Sequence, residues 1–139
     1  MRQASTTFEV ATRGRGLREI TRDVEAWVRA SGMATGLLTL HVRHTSASLL
    51  VQENADPTVA ADLERLLARL APDGDPLFLH DDEGPDDMPA HARAALTATS
   101  LSIPLAEGRL ALGTWQGIYL YEHRTAPRTR RVAAHLIGE

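Results

Sequence analysis

The 139-residue chain contains no cysteine, which excludes disulfides, thiolate metal ligands and a thiol nucleophile. It contains no lysine either, so all 15 basic residues are arginines. Schiff-base chemistry and a Walker-type phosphate lysine are therefore excluded, and arginine is the only side-chain cation besides histidine. Aromatic residues make up only 4%, so a flat stacking wall has few possible sources. No apolar run reaches the length of a membrane span, and the opening MRQASTTFEV has no signal-peptide core. A formal charge of −3 gives no pull toward nucleic acid or an anionic membrane. What is present is a hydrophobic fraction of 43% and a charged fraction of 24%, the composition of an ordinary globular protein. A soluble, cytoplasmic chain with one domain over residues 1–139 is expected, long enough to bury its own core.

Patterning along the chain predicts a β-rich domain with helices between strands. Residues 6–12 alternate, with Phe8 and Val10 on one face. Ile20, Val24, Trp27 and Val28 recur at helical spacing and stop at Gly32. Residues 36–43 alternate again, and 48–52 read as a further strand. Asp56 followed by Pro57 is an N-cap with proline at the first helical position, and Val59, Leu63, Leu66, Leu67 and Leu70 carry that helix toward Pro72. A short apolar strand is expected at 77–79 and an alanine-rich helix at 88–97. The C-terminal third predicts strands at 101–105, at 110–113 continuing into 118–122, and at 130–137, with a hairpin turn at Ala106-Glu107-Gly108. The expected fold class is α+β, with β-sandwich-like packed sheets and two or three flanking helices.

Six histidines carry most of the candidate chemistry. Side chains two apart in a strand share a face, so His44 continues the row of Leu38, Leu40 and Val42, close to the hydroxyls of Thr45, Ser46 and Ser48. His41 points the other way, and His123 and His135 read as structural or surface. His80 closes the expected strand at 77–79, and His91 lies in the first turn of a helix. His44, His80 and His91 around one site would make a first shell for zinc or a similar divalent ion, with an open position for water or substrate. Their spacing matches no local metal motif such as HExxH, and three unrelated histidines is the competing account.

Between His80 and His91 runs HDDEGPDDMPAH. Asp81, Asp82 and Glu83 read as a solvated loop. Asp87, four residues before His91, either caps the helix, orients an imidazole or binds Mg²⁺. Glu53 and Asn54 are candidates for the same cleft. In Gly113-Thr114-Trp115-Gln116-Gly117 the glycines permit close backbone approach, and Trp115 is either a flat face for an aromatic ring or plain core. Arg128, Arg130 and Arg131 suit phosphate recognition or a basic strand edge.

Taken in order, HTSASLLVQENADPTVAADLE, DDMPAH and GRLALGTWQGIYLYEH closely resemble the YjbQ family, known as secondary thiamine-phosphate synthases, over roughly residues 36–138. The resemblance implies a β-sandwich-like subunit in a homotrimer, with a histidine-lined pocket able to hold a divalent metal, Zn or Mg. Carried over by motif, His44, His80 and His91 fall on the family's histidines, and Glu53, Asn54, Asp87, Gln116 and Glu122 on further motif positions. The implied reaction joins a hydroxymethylpyrimidine diphosphate to a thiazole phosphate and releases diphosphate. In it His44, His80 and His91 hold metal or diphosphate, with Asp87 or Glu53 assisting, while Thr45, Ser46, Ser48, Asn54, Thr114, Trp115, Gln116, Glu122 and Arg128 shape the substrate site. The thiazole nitrogen is the nucleophile, so the missing cysteine and lysine are no obstacle. The turn after Glu122, His123-Arg124-Thr125-Ala126-Pro127-Arg128, departs from the aspartate-glycine-proline-arginine turn more usual in the family, which bears on substrate preference. A metal-dependent hydrolase or phosphatase acting on another phosphorylated metabolite, and a non-enzymatic trimeric ligand-binding protein, are the alternatives.

Overall fold

Alternation of small and apolar residues with polar ones builds two antiparallel sheets in the computed structural model, which describes residues 1–139. The strands and helices follow in the order β1 (Arg2–Ala11), β2 (Gly16–Glu19), α1 (Thr21–Ser31), β3 (Gly36–Val42), β4 (Ala47–Glu53), α2 (Pro57–Leu70), α3 (Asp87–Leu96), β5 (Ser100–Ala106), β6 (Arg109–Leu110), β7 (Gln116–Glu122) and β8 (Thr129–Gly138). The larger sheet has the order β1-β8-β3-β5-β6, and the smaller one β2-β7-β4. Val10, Leu38, Leu40, Ile103, Val132 and Leu136 of the first sheet meet Ala47, Leu49, Ile118 and Leu120 of the second in one hydrophobic core, with Val24 and Val28 of α1. The fold is α+β, as expected, with three helices.

Local chemistry explains the ends of the elements. Helix α1 stops at Gly32, which takes a left-handed φ of 70°. Helix α2 starts where Asp56 accepts a hydrogen bond from the Thr58 backbone N–H, with Pro57 at the first helical position. The hairpin joining β5 to β6 turns through Glu107 and Gly108, both at positive φ, as a tight twisted turn requires.

Three expectations are corrected. Strand β2 was not foreseen: it is short and lacks alternation, and it exists because β7 offers its edge. Residues 77–79 are not a strand. The Asp75 side chain accepts the Leu77 N–H and the Asp75 carbonyl accepts that of Phe78, a local turn that leaves Leu77 and Leu79 in solvent. Residues 110–113 do not run on into 118–122. A turn at Gly113, closed by the Gln116 N–H and by the Gln116 side chain accepting the Gly113 N–H, carries the chain from one sheet to the other.

Candidate metal centre

His80 lies in the irregular segment before α3, while Asp87 opens that helix and His91 follows one turn later. A spacing of four puts Asp87 and His91 on one helical face. The His80 Nε2 is 2.7 Å from Asp87 Oδ2, and His91 Nε2 is 3.5 Å from the same oxygen. The donor atoms of the three residues all lie within 4.8 Å of one another, and the two rings meet edge to face at 5.4 Å. Asp87 is almost wholly buried, whereas both imidazoles reach solvent. The Asp87 carboxylate does not cap its helix, whose start has no side-chain cap bond.

His91 is oriented from behind. Its Nδ1 lies 3.2 Å from the Thr45 carbonyl oxygen, which can only accept, so Nδ1 carries the proton in that contact. Unless Nε2 is protonated as well, its lone pair then faces the carboxylate at 3.5 Å. A positive charge between them, a proton or a metal ion, removes that repulsion. Bond lengths of about 2.1 Å place the donors of a tetrahedral ion about 3.4 Å apart, within the spread of this cluster. Two imidazoles and one carboxylate suit zinc and related transition ions better than Mg²⁺, which prefers oxygen. The residues present fit a divalent ion.

The acids around the centre divide. Asp81, Asp82 and Glu83 are exposed, as a wet loop requires. Asp86 is buried and accepts from the Thr125 N–H, the Thr125 hydroxyl and Arg124 Nε. Burial works to raise its carboxyl, but the Thr125 backbone bond and the Arg124 guanidinium outweigh it and hold the group well below the ordinary carboxylate range. Beside His80 a cleft of about 360 Å³ opens between Pro76, Phe78, Pro85, Met88 and Pro89, with Asp75 and Asp81 also lining it.

Other expected site residues lie elsewhere. His44 is outside the cluster: its Nε2 accepts the Arg131 backbone N–H, and burial with the Arg130 charge lowers its basicity. Strand parity misled here because β3 ends at Val42, two residues before His44. Thr45 contributes its carbonyl rather than its hydroxyl. Ser46 and Glu122 are buried around Arg130, whose guanidinium donates to both, and Thr12 donates to Glu122 as well. Ser48 is buried against His123 and Thr97. Arg128 is exposed.

Glu53 and Asn54 do not reach the cluster of His80, Asp87 and His91. In the β4–β7 ladder Ala47 pairs with Glu122 and Glu53 with Gln116, so they sit about 20 Å along the sheet from the end that holds Thr45, at 3.3 Å per residue. Asn54, Thr114 and Gln116 instead line a separate cleft of about 990 Å³, with Glu19, Arg22 and Arg109. There Glu19 accepts from Asn54 and Thr21, and a Cβ at Gly117 would come within 2.5 Å of the Glu19 carboxylate. Trp115 is 63% exposed, so it is not core. Arg124 and Asp86 escaped sequence reasoning, since a turn arginine and one acid among five give no signal of burial.

Residues 6–139 match the family model described as UPF0047 protein YjbQ-like. The UPF0047 protein sll1880 of Synechocystis is 51% identical over 99% of this chain and 94% of its own length. The UPF0047 protein YjbQ of Salmonella typhimurium is 45% identical over 96% of each. Among solved structures, an uncharacterized conserved protein of the yjbq/upf0047 family from Clostridium acetobutylicum superposes with a TM-score of 0.86 at 35% identity, covering 95% of this chain and 99% of that one. A conserved hypothetical protein from Thermus thermophilus does so with a TM-score of 0.84 at 43% identity, over 95% and 99%.

Proposed function

The chain belongs to the YjbQ-like UPF0047 family, and from that premise we propose that it is a cytoplasmic, metal-dependent enzyme acting on a phosphorylated small metabolite at His80, Asp87 and His91. The reaction proposed is that of a thiamine-phosphate synthase, main or secondary. The bond from the pyrimidine methylene to the diphosphate oxygen breaks, the thiazole nitrogen bonds to that carbon, and diphosphate leaves with the electron pair. The observation that carries the proposal is the His91 imidazole, its Nδ1 directed to the Thr45 carbonyl and its Nε2 facing Asp87 Oδ2.

His80, Asp87 and His91 would hold the ion. When bound, it stabilises the negative charge that develops on a departing diphosphate. The Thr45 carbonyl fixes the tautomer and ring plane of His91. The cleft beside His80 has apolar walls for a ring, and the carboxylates of Asp75 and Asp81 favour positive charge developing there. Self-association, as the homotrimer the resemblance implies, is part of the proposal. It is supported by Leu66, Leu70, Leu77 and Leu79, each at least half exposed in the single chain. No helix is long and apolar enough to cross a membrane.

The test is a coupling assay with both thiamine precursors and Zn²⁺, Mn²⁺ or Mg²⁺ added to metal-free protein. The expected result is equimolar thiamine phosphate and diphosphate, lost in His91→Ala. No coupled product from folded, metal-loaded protein would reject the synthase; release of inorganic phosphate from either precursor instead would favour a phosphatase.

A further inference from the structure

Arg124 is the second residue after β7, and its guanidinium is buried against the start of α3. Its Nη1 donates to Asp87 Oδ1 at 2.9 Å, its Nε to Asp86 Oδ2 at 3.1 Å, and its Nη2 to the Glu83 carbonyl oxygen at 2.8 Å. The backbone N–H of the same residue donates to Glu122 Oε2. One side chain thus ties together both carboxylates at the helix start and the loop before them.

We infer that Arg124 is a positioning residue that makes Asp87 a one-oxygen metal ligand. This rests on the assignment of His80, Asp87 and His91 as the metal site. A free carboxylate can swing to offer both oxygens to a cation. Here Oδ1 is committed to Arg124, and Oδ2 is the oxygen that faces both imidazoles. Charge works in the same direction. The guanidinium offsets one of the two buried carboxylates, so the pocket offers a divalent ion a net charge near −1 and two neutral nitrogens. That combination favours a nitrogen-preferring ion with few ligands over a hard, oxygen-seeking one. A lysine could not do the same, because a single ammonium lacks the planar fork that reaches Asp86, Asp87 and the Glu83 carbonyl together.

The test uses cobalt(II) as the probe. Metal-free wild type, Arg124→Gln and Arg124→Lys are titrated with Co²⁺ against a competing chelator, and the visible absorption of each complex is recorded. Chemical unfolding in EDTA reports whether the fold survives. Wild type should give the intense bands of few-coordinate cobalt. Arg124→Gln should give clearly weakened bands as Asp87 rotates to give a second oxygen, while holding Co²⁺ at least as tightly because a cation has left the site, and Arg124→Lys should fall between. An unchanged spectrum in a folded Arg124→Gln would overturn the inference. Should Arg124→Gln not fold, Asp86→Asn, which loosens the guanidinium without removing it, takes its place: fainter bands support the inference, and a wild-type spectrum overturns it. No cobalt taken up by wild type would instead overturn the metal assignment and the inference with it.

Discussion

His123 is wholly buried, with Nε2 on the Ser48 hydroxyl at 2.8 Å and its ring against Tyr121. Burial, then the charge of Arg93, lowers its pKa from 6.5 to about 3. Below about pH 6.5 the unfolded chain takes up a proton that the folded chain refuses, so stability is full above that pH and falls as the pH drops toward 3. The slope is about 1.4 kcal/mol per pH unit. Urea unfolding from pH 7 to 4.5 should show this loss, and His123→Gln should flatten it; an unchanged slope in a folded variant would refute the assignment. His44 shifts the same way, so His44→Asn measures its separate share of the slope. Glu122 and Arg130 set a second residue-scale expectation. Each lies almost fully out of solvent and pairs with the other, so Glu122→Gln should cost about 3–5 kcal/mol by leaving a buried guanidinium uncompensated. A loss below 1 kcal/mol in the same unfolding assay would show that water reaches the pair. At this scale the sequence brought His80 and His91 together through a strand at 77–79 that does not form, yet both rings still meet Asp87 because the loop and the helix start fold onto each other. The burial of Glu122 beneath Arg130 and Thr12 was hidden, since a carboxylate at a motif position looks alike whether it meets substrate or a buried partner.

Elements were legible where a periodic pattern met a chemical stop. Asp56-Pro57 opened α2 and Gly32 closed α1, as written in the sequence. The burial of α2 was not legible: Val59, Leu63, Leu66, Leu67 and Leu70 have helical spacing, yet only Leu67 is buried. Which face of a helix finds a partner depends on where the sheets end, and periodicity is silent on that. Strand β2 shows the converse, a segment with weak preference recruited by a neighbour's free edge. The pairing of β3 with β8 gives an element-scale test. Gly36 opposes Gly138, and a Cβ at Gly138 would clash with the Thr35 carbonyl oxygen. Gly138→Ala must push the strands apart, at a cost of roughly 1–3 kcal/mol; an unchanged unfolding midpoint would show that the strand end yields freely.

Across the whole molecule, the β4–β7 ladder separates residues that a linear reading gathers into one site. The His80–Asp87–His91 cluster and Thr45 lie at one end, while Glu53, Asn54 and Gln116 lie at the other. Sequence motifs give no distance between their parts, and only strand register does. The exposed leucines on and after α2 lead to a prediction at the same scale. Leu70→Glu should leave the far-UV spectrum intact while shifting sedimentation equilibrium toward the monomer; an unaltered association state would exclude that face from assembly. The central claim is that His80, Asp87 and His91 converge on one divalent ion. Anomalous diffraction at the zinc edge from crystals soaked in Zn²⁺ tests it most directly. A single strong peak bonded to His80 Nε2, Asp87 Oδ2 and His91 Nε2 is the predicted result. Zinc at His44 or elsewhere, with nothing between those three residues, would contradict it.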